Sequence, residues 1–195
     1  MVNEMDLELF GPFNLRALFL NQKAKDFGVY LWTVRYKEKF LVHYVGETGT
    51  SFATRTAEHI KNLLSGHYCI YDPKKLEKGK RDKLWEGWWK SSEFKNPARV
   101  VEFLKRYTEL SKAACDSIEP ICFFLLPFES KYKSDRRIRE RVETSIAKAT
   151  RTDFQDEYLF ETSYKRGERR DDETAIKVFI KSSGNILGMP KELEV

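Results

Sequence analysis

Three cysteines in 195 residues, Cys69, Cys115 and Cys122, are too few and too scattered for a disulfide framework, and the absence of any C-x-x-C pair argues against structural zinc. A reducing compartment is the expectation. No stretch approaches the ~18 consecutive apolar residues of a membrane-spanning helix, and the amino terminus, MVNEMDLELFGPF, lacks the positive segment and apolar core of a secretion signal. These absences together point to a cytoplasmic protein with no membrane partner. No glycine-rich phosphate loop, internal repeat or low-complexity tract is visible, which removes the nucleotide-cradling and solenoid classes. Histidine is scarcer still. Of His43, His59 and His67, the first and last have no ligand partner at metal spacing, and His43 should face the side of its strand opposite to Tyr44.

Charge, in contrast, is abundant. A third of the residues are Asp, Glu, Lys or Arg, the net charge is +5 and the isoelectric point is near 9.0, a balance that suits a polyanionic partner without requiring one. Between Pro73 and Lys112 lie twelve Lys or Arg against six acids, together with Trp85, Trp88 and Trp89. With 41% hydrophobic residues the chain is long enough to bury one real core, and a single domain over 1–195 is expected.

Residues 27–36, FGVYLWTVRY, and 39–45, KFLVHYV, are rich in aromatic and β-branched types and bracket Lys37-Glu38, so they predict two strands joined by a tight turn. A hairpin symmetric about Lys37 places Tyr30 opposite Tyr44 on one face. This register is not pinned, because the turn has no Asn-Gly or Asp-Gly pair and a one-residue slip would separate the phenols. A cluster of turn residues, Gly46 to Ser51, then leads into FATRTAEHIKNLL, where Phe52, Ile60, Leu63 and Leu64 mark a helical stripe and Thr50 or Ser51 supplies the cap. Arg55 and His59, four apart, share one face of that helix.

Farther on, the proline-bounded run from Pro120 to Pro127 suits a buried central strand, and residues 134–150, SDRRIRERVETSIAKAT, predict a helix with Ile138, Val142 and Ile146 along one stripe. Glu143 borders that stripe, whereas Glu140 lies off it.

Gly28-Val29-Tyr30 on the first strand, Tyr44-Val45-Gly46 on the second, Arg55 and His59 on the following helix, and Glu143 on a later one resemble the motifs of the GIY-YIG nucleases. Each tripeptide carries valine for isoleucine, and the interval from Tyr44 to Arg55 is about one residue longer than the family pattern. The resemblance covers roughly residues 27–64 and, in part, 120–150. It implies an α/β fold, a small three-stranded antiparallel sheet flanked by helices, with a core at about 27–65 and 120–150. Residues 66–118 then form a basic, Trp-rich helical insertion, and 153–195 a C-terminal extension in which EYLFE and TAIKVFIKS are possible strands.

The activity implied is Mg²⁺-dependent (or Mn²⁺-dependent) hydrolysis of DNA phosphodiesters, with Glu143 as the metal ligand and Tyr30 as the base. Tyr44 and Arg55 would orient water and phosphate, and His59 would hydrogen-bond a phenol or accept its proton. One glutamate is chemically sufficient, since Mg²⁺ keeps several waters and substrate oxygens. A phenol with the usual pKa of about 10 is a poor base at neutral pH, so Arg55, His59 or the metal must lower it or relay its proton. Some members of the family also carry a downstream asparagine, for which Asn185 is the candidate, although a turn is the plainer role for it.

Candidate nucleic-acid contacts are Lys80, Arg81, Lys83 and Trp88 from the insertion, and Arg136 and Arg137 from the basic run ahead of Glu143. Helices in WEGWWKSSEF and VVEFLKRY that bury their aromatic faces explain the same tryptophans equally well. The alternatives to a DNA endonuclease are an RNA-directed or inactive nucleic-acid-binding module, and a protein-interaction domain that uses the insertion.

Overall fold

Along the amino-terminal segment Met5, Leu7 and Leu9 are buried while Glu4, Asp6 and Glu8 face solvent. That period-two alternation is the mark of a strand with one wet face, and the segment forms β1 (Asn3–Phe13). The computed structural model describes residues 3–78, 80, 82–87, 97–150, 167–182 and 184–195. Within them follow α1 (Leu15–Leu20), β2 (Gly28–Tyr36), β3 (Lys39–Thr48), α2 (Phe52–Leu64), β4 (Ile70–Tyr71), α3 (Pro73–Glu77) and β5 (Lys83–Trp85). The remainder comprises α4 (Pro97–Lys105), α5 (Tyr107–Ile118), β6 (Ile121–Pro127), α6 (Arg136–Thr150), β7 (Ile176–Ser182) and β8 (Glu192–Glu194).

The small three-stranded antiparallel sheet expected from the sequence is incorrect. The sheet has six strands in the order β3-β2-β6-β1-β7-β8 and is mixed: β1 runs antiparallel to β6 but parallel to β7, with Met5 beside Val178 and Leu7 beside Ile180. The three strands anticipated are present as its first half, with β2 antiparallel to both neighbours. What extends them is a pairing between opposite ends of the chain, for which no turn or local motif can signal. The sheet also curls into a half-barrel. Phe40 at the β3 edge donates its N–H to the Asn185 carbonyl at 2.9 Å and accepts from Leu187 at 2.9 Å, so the segment after β7 returns to the hairpin.

Both faces of β2 are covered, which is why residues 28–34 are buried without interruption. On one face Val29 and Leu31 join Val42, Val45, Phe124 and Leu126 beneath Val142, Ile146 and Ala147 of α6. On the other, Tyr30, Trp32 and Val34 pack with Leu41, Phe123, Leu125, Phe52 of α2, and Leu18 of α1. Residues 66–118 add a small core of their own, Ile70, Trp85, Phe103, Leu110, Ala113 and Ala114, against Leu63 and Leu64 of α2. Trp85 is buried, donates its indole N–H to the Gly66 carbonyl at 2.8 Å, and lies on a strand, so the helix expected over WEGWWKSSEF does not begin there. Residues 88–94 of that stretch, and EYLFE in the extension, lie outside the described residues.

Candidate active site

The hairpin register differs from the symmetric one, and the difference builds the site. Tyr36 pairs with Lys39 and Thr33 with Val42, but the next pair is Trp32 with Tyr44, which leaves His43 as an extra residue in a bulge. Continued without the bulge, the pairing would set Tyr30 opposite Val45 and send the Tyr44 side chain to the other face. The bulge restores Tyr44 to the Tyr30 side, as its diagonal neighbour with ring centroids 6.0 Å apart. His43 itself rests edge-on against Tyr71, 5.9 Å between centroids.

Gly46, not Tyr44, lies directly opposite Tyr30. A Cβ added there would sit 2.4 Å from the Tyr30 oxygen and 2.7 Å from Tyr44 Cε1, closer than any real contact. The glycine of the second tripeptide is thus what allows the first tyrosine to lie across the strand.

From α2, capped by Ser51 Oγ accepting from the Thr54 N–H at 3.0 Å, His59 brings its Nε2 to 2.7 Å from the Tyr30 hydroxyl. Four rings surround the imidazole: Trp32, Tyr44, Tyr68 and Tyr30, at centroid distances of 5.3, 5.4, 5.5 and 5.9 Å. Burial in this cage, reinforced by the Arg55 charge, holds the imidazole down at about 3, so His59 is neutral at physiological pH. Burial and the neighbouring Tyr44 raise the Tyr30 phenol well above its ordinary value, against the pull of Arg55. Tyr44 is pushed up to about 12 by burial and by the charge of Glu143. Arg55, about a third exposed, places Nη1 2.9 Å from Glu58.

Glu143 approaches from α6, on the opposite side of the sheet. Because β3 is the edge strand, a side chain bordering the buried stripe of α6 can act on Tyr44 past that edge. Half-buried, its carboxyl is pushed up to about 8 by desolvation and then by the negative charges of Glu47 and Glu140, with Arg136 and Arg55 pulling the other way. Tyr30, Tyr44, Arg55, His59 and Glu143 therefore form one electrostatically coupled group.

The remaining candidates divide. Arg136 is mostly exposed, 2.9 Å from Glu140 and 3.6 Å from Glu47. Arg137 turns away to grip Glu173 at 2.5 and 2.9 Å, which makes it an anchor for the C-terminal extension. Lys80 is exposed and Lys83 pairs with Glu86 at 3.1 Å; Arg81 and Trp88 lie outside the described residues. Asn185 donates its Nδ2 to the Glu38 carbonyl at 3.2 Å and so supports the hairpin turn, six residues of β2 away from Tyr30 or about 20 Å.

Glu47 and Tyr68 carry no signal that the motifs used, and Arg139, expected in the basic run as a surface partner for Glu143, is buried against Glu47 instead. Glu47 and Arg139 join the end of β3 to α6 at 3.0 Å, and Tyr68 closes the cage around His59. The position of Glu47, one residue past Gly46 and hence on the α6 side, was open to a period-two argument; nothing local marks Tyr68.

No family model matches the chain, and neither does any curated protein or solved structure. No helix among the described residues is long and apolar enough to cross a membrane, and no group of three or more His, Cys, Asp or Glu among them is arranged to hold a metal ion.

Proposed function

We propose that this chain is a Mg²⁺- or Mn²⁺-dependent endonuclease of the GIY-YIG type acting on DNA. The observation that carries the reading is the meeting of two phenols from two strands with a neutral imidazole from a helix, beside the Arg55 guanidinium, with Glu143 on a second helix acting on Tyr44 electrostatically. Phosphodiester hydrolysis is largely a matter of positioning and electrostatics, and this group supplies both.

The donor chemistry suits a hard cation. Glu143 offers one oxygen ligand beside Glu47 and Glu140, both of which pair with arginines; its carboxyl, pushed up to about 8, would give up its proton on binding a cation, and one carboxylate suffices for an ion that keeps its waters. When bound there, the metal would polarise the phosphate and lower the pKa of water. Arg55, partly exposed beside the phenols, holds the scissile phosphate. Tyr30 rests as a protonated phenol against a neutral His59, whose imidazole is held too low to keep a proton passed to it; to act as the base Tyr30 first releases its proton to solvent, favoured by the Arg55 charge, and the phenolate, accepting from the His59 N–H, then takes a proton from the attacking water. Tyr44, on which Glu143 acts electrostatically, orients the water.

Supercoiled plasmid, branched oligonucleotides and RNA, each with Mg²⁺ and with chelator, test the reading. Arg55→Ala and Glu143→Gln should each lose at least ~100-fold in cleavage, in line with loss of a transition-state contact, with unchanged circular dichroism. Cleavage retained in either variant removes that residue from the site. Cleavage of RNA alone reassigns the substrate, and salt-sensitive DNA binding with no cleavage makes the chain a binding module.

A further inference from the structure

We propose that Arg139 is a positioning residue, which through Glu47 fixes the rotation of α6 and so sets where Glu143 stands relative to Tyr44; the catalytic consequence rests on the endonuclease reading above. Arg139 is almost wholly buried, unusual for a member of a basic run. Its guanidinium is used on several sides. Nε donates to Glu47 Oε2 at 3.0 Å, Nη1 donates to the Tyr132 and Lys133 carbonyls at 3.1 and 2.8 Å, and Cζ lies 6.0 Å from the centroid of the Phe27 ring. A Cβ on Gly49 would come within 2.8 Å of Nη2. One side chain thus gathers the end of β3, the loop after it, the entry to α6 and the residue before β2.

Arg139 and Glu143 are four apart on α6, so they share a helical face and stand about 6 Å apart along the axis. Any roll of α6 that moved Glu143 off the β3 edge would break the Arg139–Glu47 contact. Glu47 also adds its negative charge beside Glu143, so the pair fixes both the place and the electrostatic surroundings of that carboxylate. A lysine would keep the charge but not the forked donor geometry that reaches a carboxylate and two carbonyls at once. On its other flank α6 is held independently by Arg137 on Glu173 and by Arg141 donating to the Thr174 carbonyl at 2.8 Å, which provides an internal control.

The test compares the double variant Glu47→Gln/Arg139→Met, which leaves no unpaired buried charge, with Arg139→Lys and with Glu173→Gln. In 3-fluorotyrosine-labelled protein, with the Tyr44 resonance assigned through Tyr44→Phe, Glu143→Gln should shift the Tyr44 signal in the wild-type and Glu173→Gln backgrounds. In the double variant that response should fall by at least half. Turnover on plasmid should drop about 10- to 100-fold in the double variant and in Arg139→Lys, as for loss of an outer-shell partner, with KM for DNA little changed. Glu173→Gln should lower the melting temperature and leave turnover within about twofold. An undiminished fluorine response in the double variant overturns the proposal, as does a turnover loss in Glu173→Gln equal to that in the double variant. Should the wild type cleave nothing with any metal, the endonuclease reading falls, and the fluorine response alone still decides whether Arg139 positions Glu143.

Discussion

A hydroxyl and an imidazole nitrogen 2.7 Å apart inside an aromatic cage leave little room for alternatives, and one hydrogen atom on Gly46 is what admits them. Gly46→Ala therefore forces either the Tyr30 phenol or the bulged strand to move. Overpacking of this kind costs about 1–3 kcal/mol, so the variant should stay folded with a lower denaturation midpoint. Its cleavage should be lost, because Tyr30 Oη can no longer lie both over position 46 and against His59. Full activity in Gly46→Ala would mean that the Tyr30–His59 contact is dispensable. At this scale the sequence named the candidates, Tyr30, Tyr44, Arg55 and His59 by spacing and Glu143 through the family resemblance, and the structure brings Tyr30, Tyr44 and His59 into contact. The register was not legible, since a bulge at His43 leaves no composition signal, and symmetry about Lys37 put Tyr30 opposite the wrong residue. Tyr68 was hidden for another reason: its approach to His59 depends on how residues 66–118 pack, which no local pattern encodes.

At the scale of the element, α6 is the piece on which the site turns. Its start was readable because Asp135 is a capping residue, and its Oδ1 accepts from the Ile138 N–H at 3.0 Å. Its stripe was readable because Val142 and Ile146 keep the helical period, and both are fully buried. The basic run along it was read as a surface, yet Arg139 and Arg141 are buried and Arg137 is committed to Glu173. Glu173, held by Arg137 and by the Arg170 N–H, is depressed to about 2. For a carboxylate depressed in the folded state, the stabilising contribution is complete above its ordinary pKa of about 4.3 and disappears as pH falls through the folded value. Glu173→Gln should accordingly melt below the wild type at pH 7, with the gap narrowing below pH ~4.3 and closing near pH 2. Parallel melting curves across that window would show that the Arg137–Glu173 pair contributes nothing to holding the extension on α6.

For the molecule as a whole, the consequential discovery is that β1 is an interior strand. It stands between β6 and β7, so within the sheet the strands bearing the site connect to β7 and β8 through it. Met5, Leu7 and Leu9 lie in the same core as Val29, Leu31 and Val142, beneath the helix that carries Glu143. Each such side chain contributes about 1.5–3 kcal/mol when buried, and three together approach the ~5–15 kcal/mol by which a whole domain is stable. A fragment limited to residues 27–150 would keep every catalytic candidate and lose β1, β7 and β8, leaving the inner edge of β6 unpaired and half of the core beneath α6 uncovered. That fragment should aggregate or give a collapsed amide spectrum, and should not melt cooperatively. Leu7→Ala in the full chain should cost about 2–5 kcal/mol in chemical denaturation, as for other buried leucines. A soluble 27–150 fragment with a sharp thermal transition and plasmid-cleaving activity would show that the nuclease unit is the small one the motifs imply, with the rest of the sheet an independent addition. The alternation of Met5, Leu7 and Leu9 with Glu4, Asp6 and Glu8 argues against this, because a face so regularly apolar is stable in water only when another layer covers it.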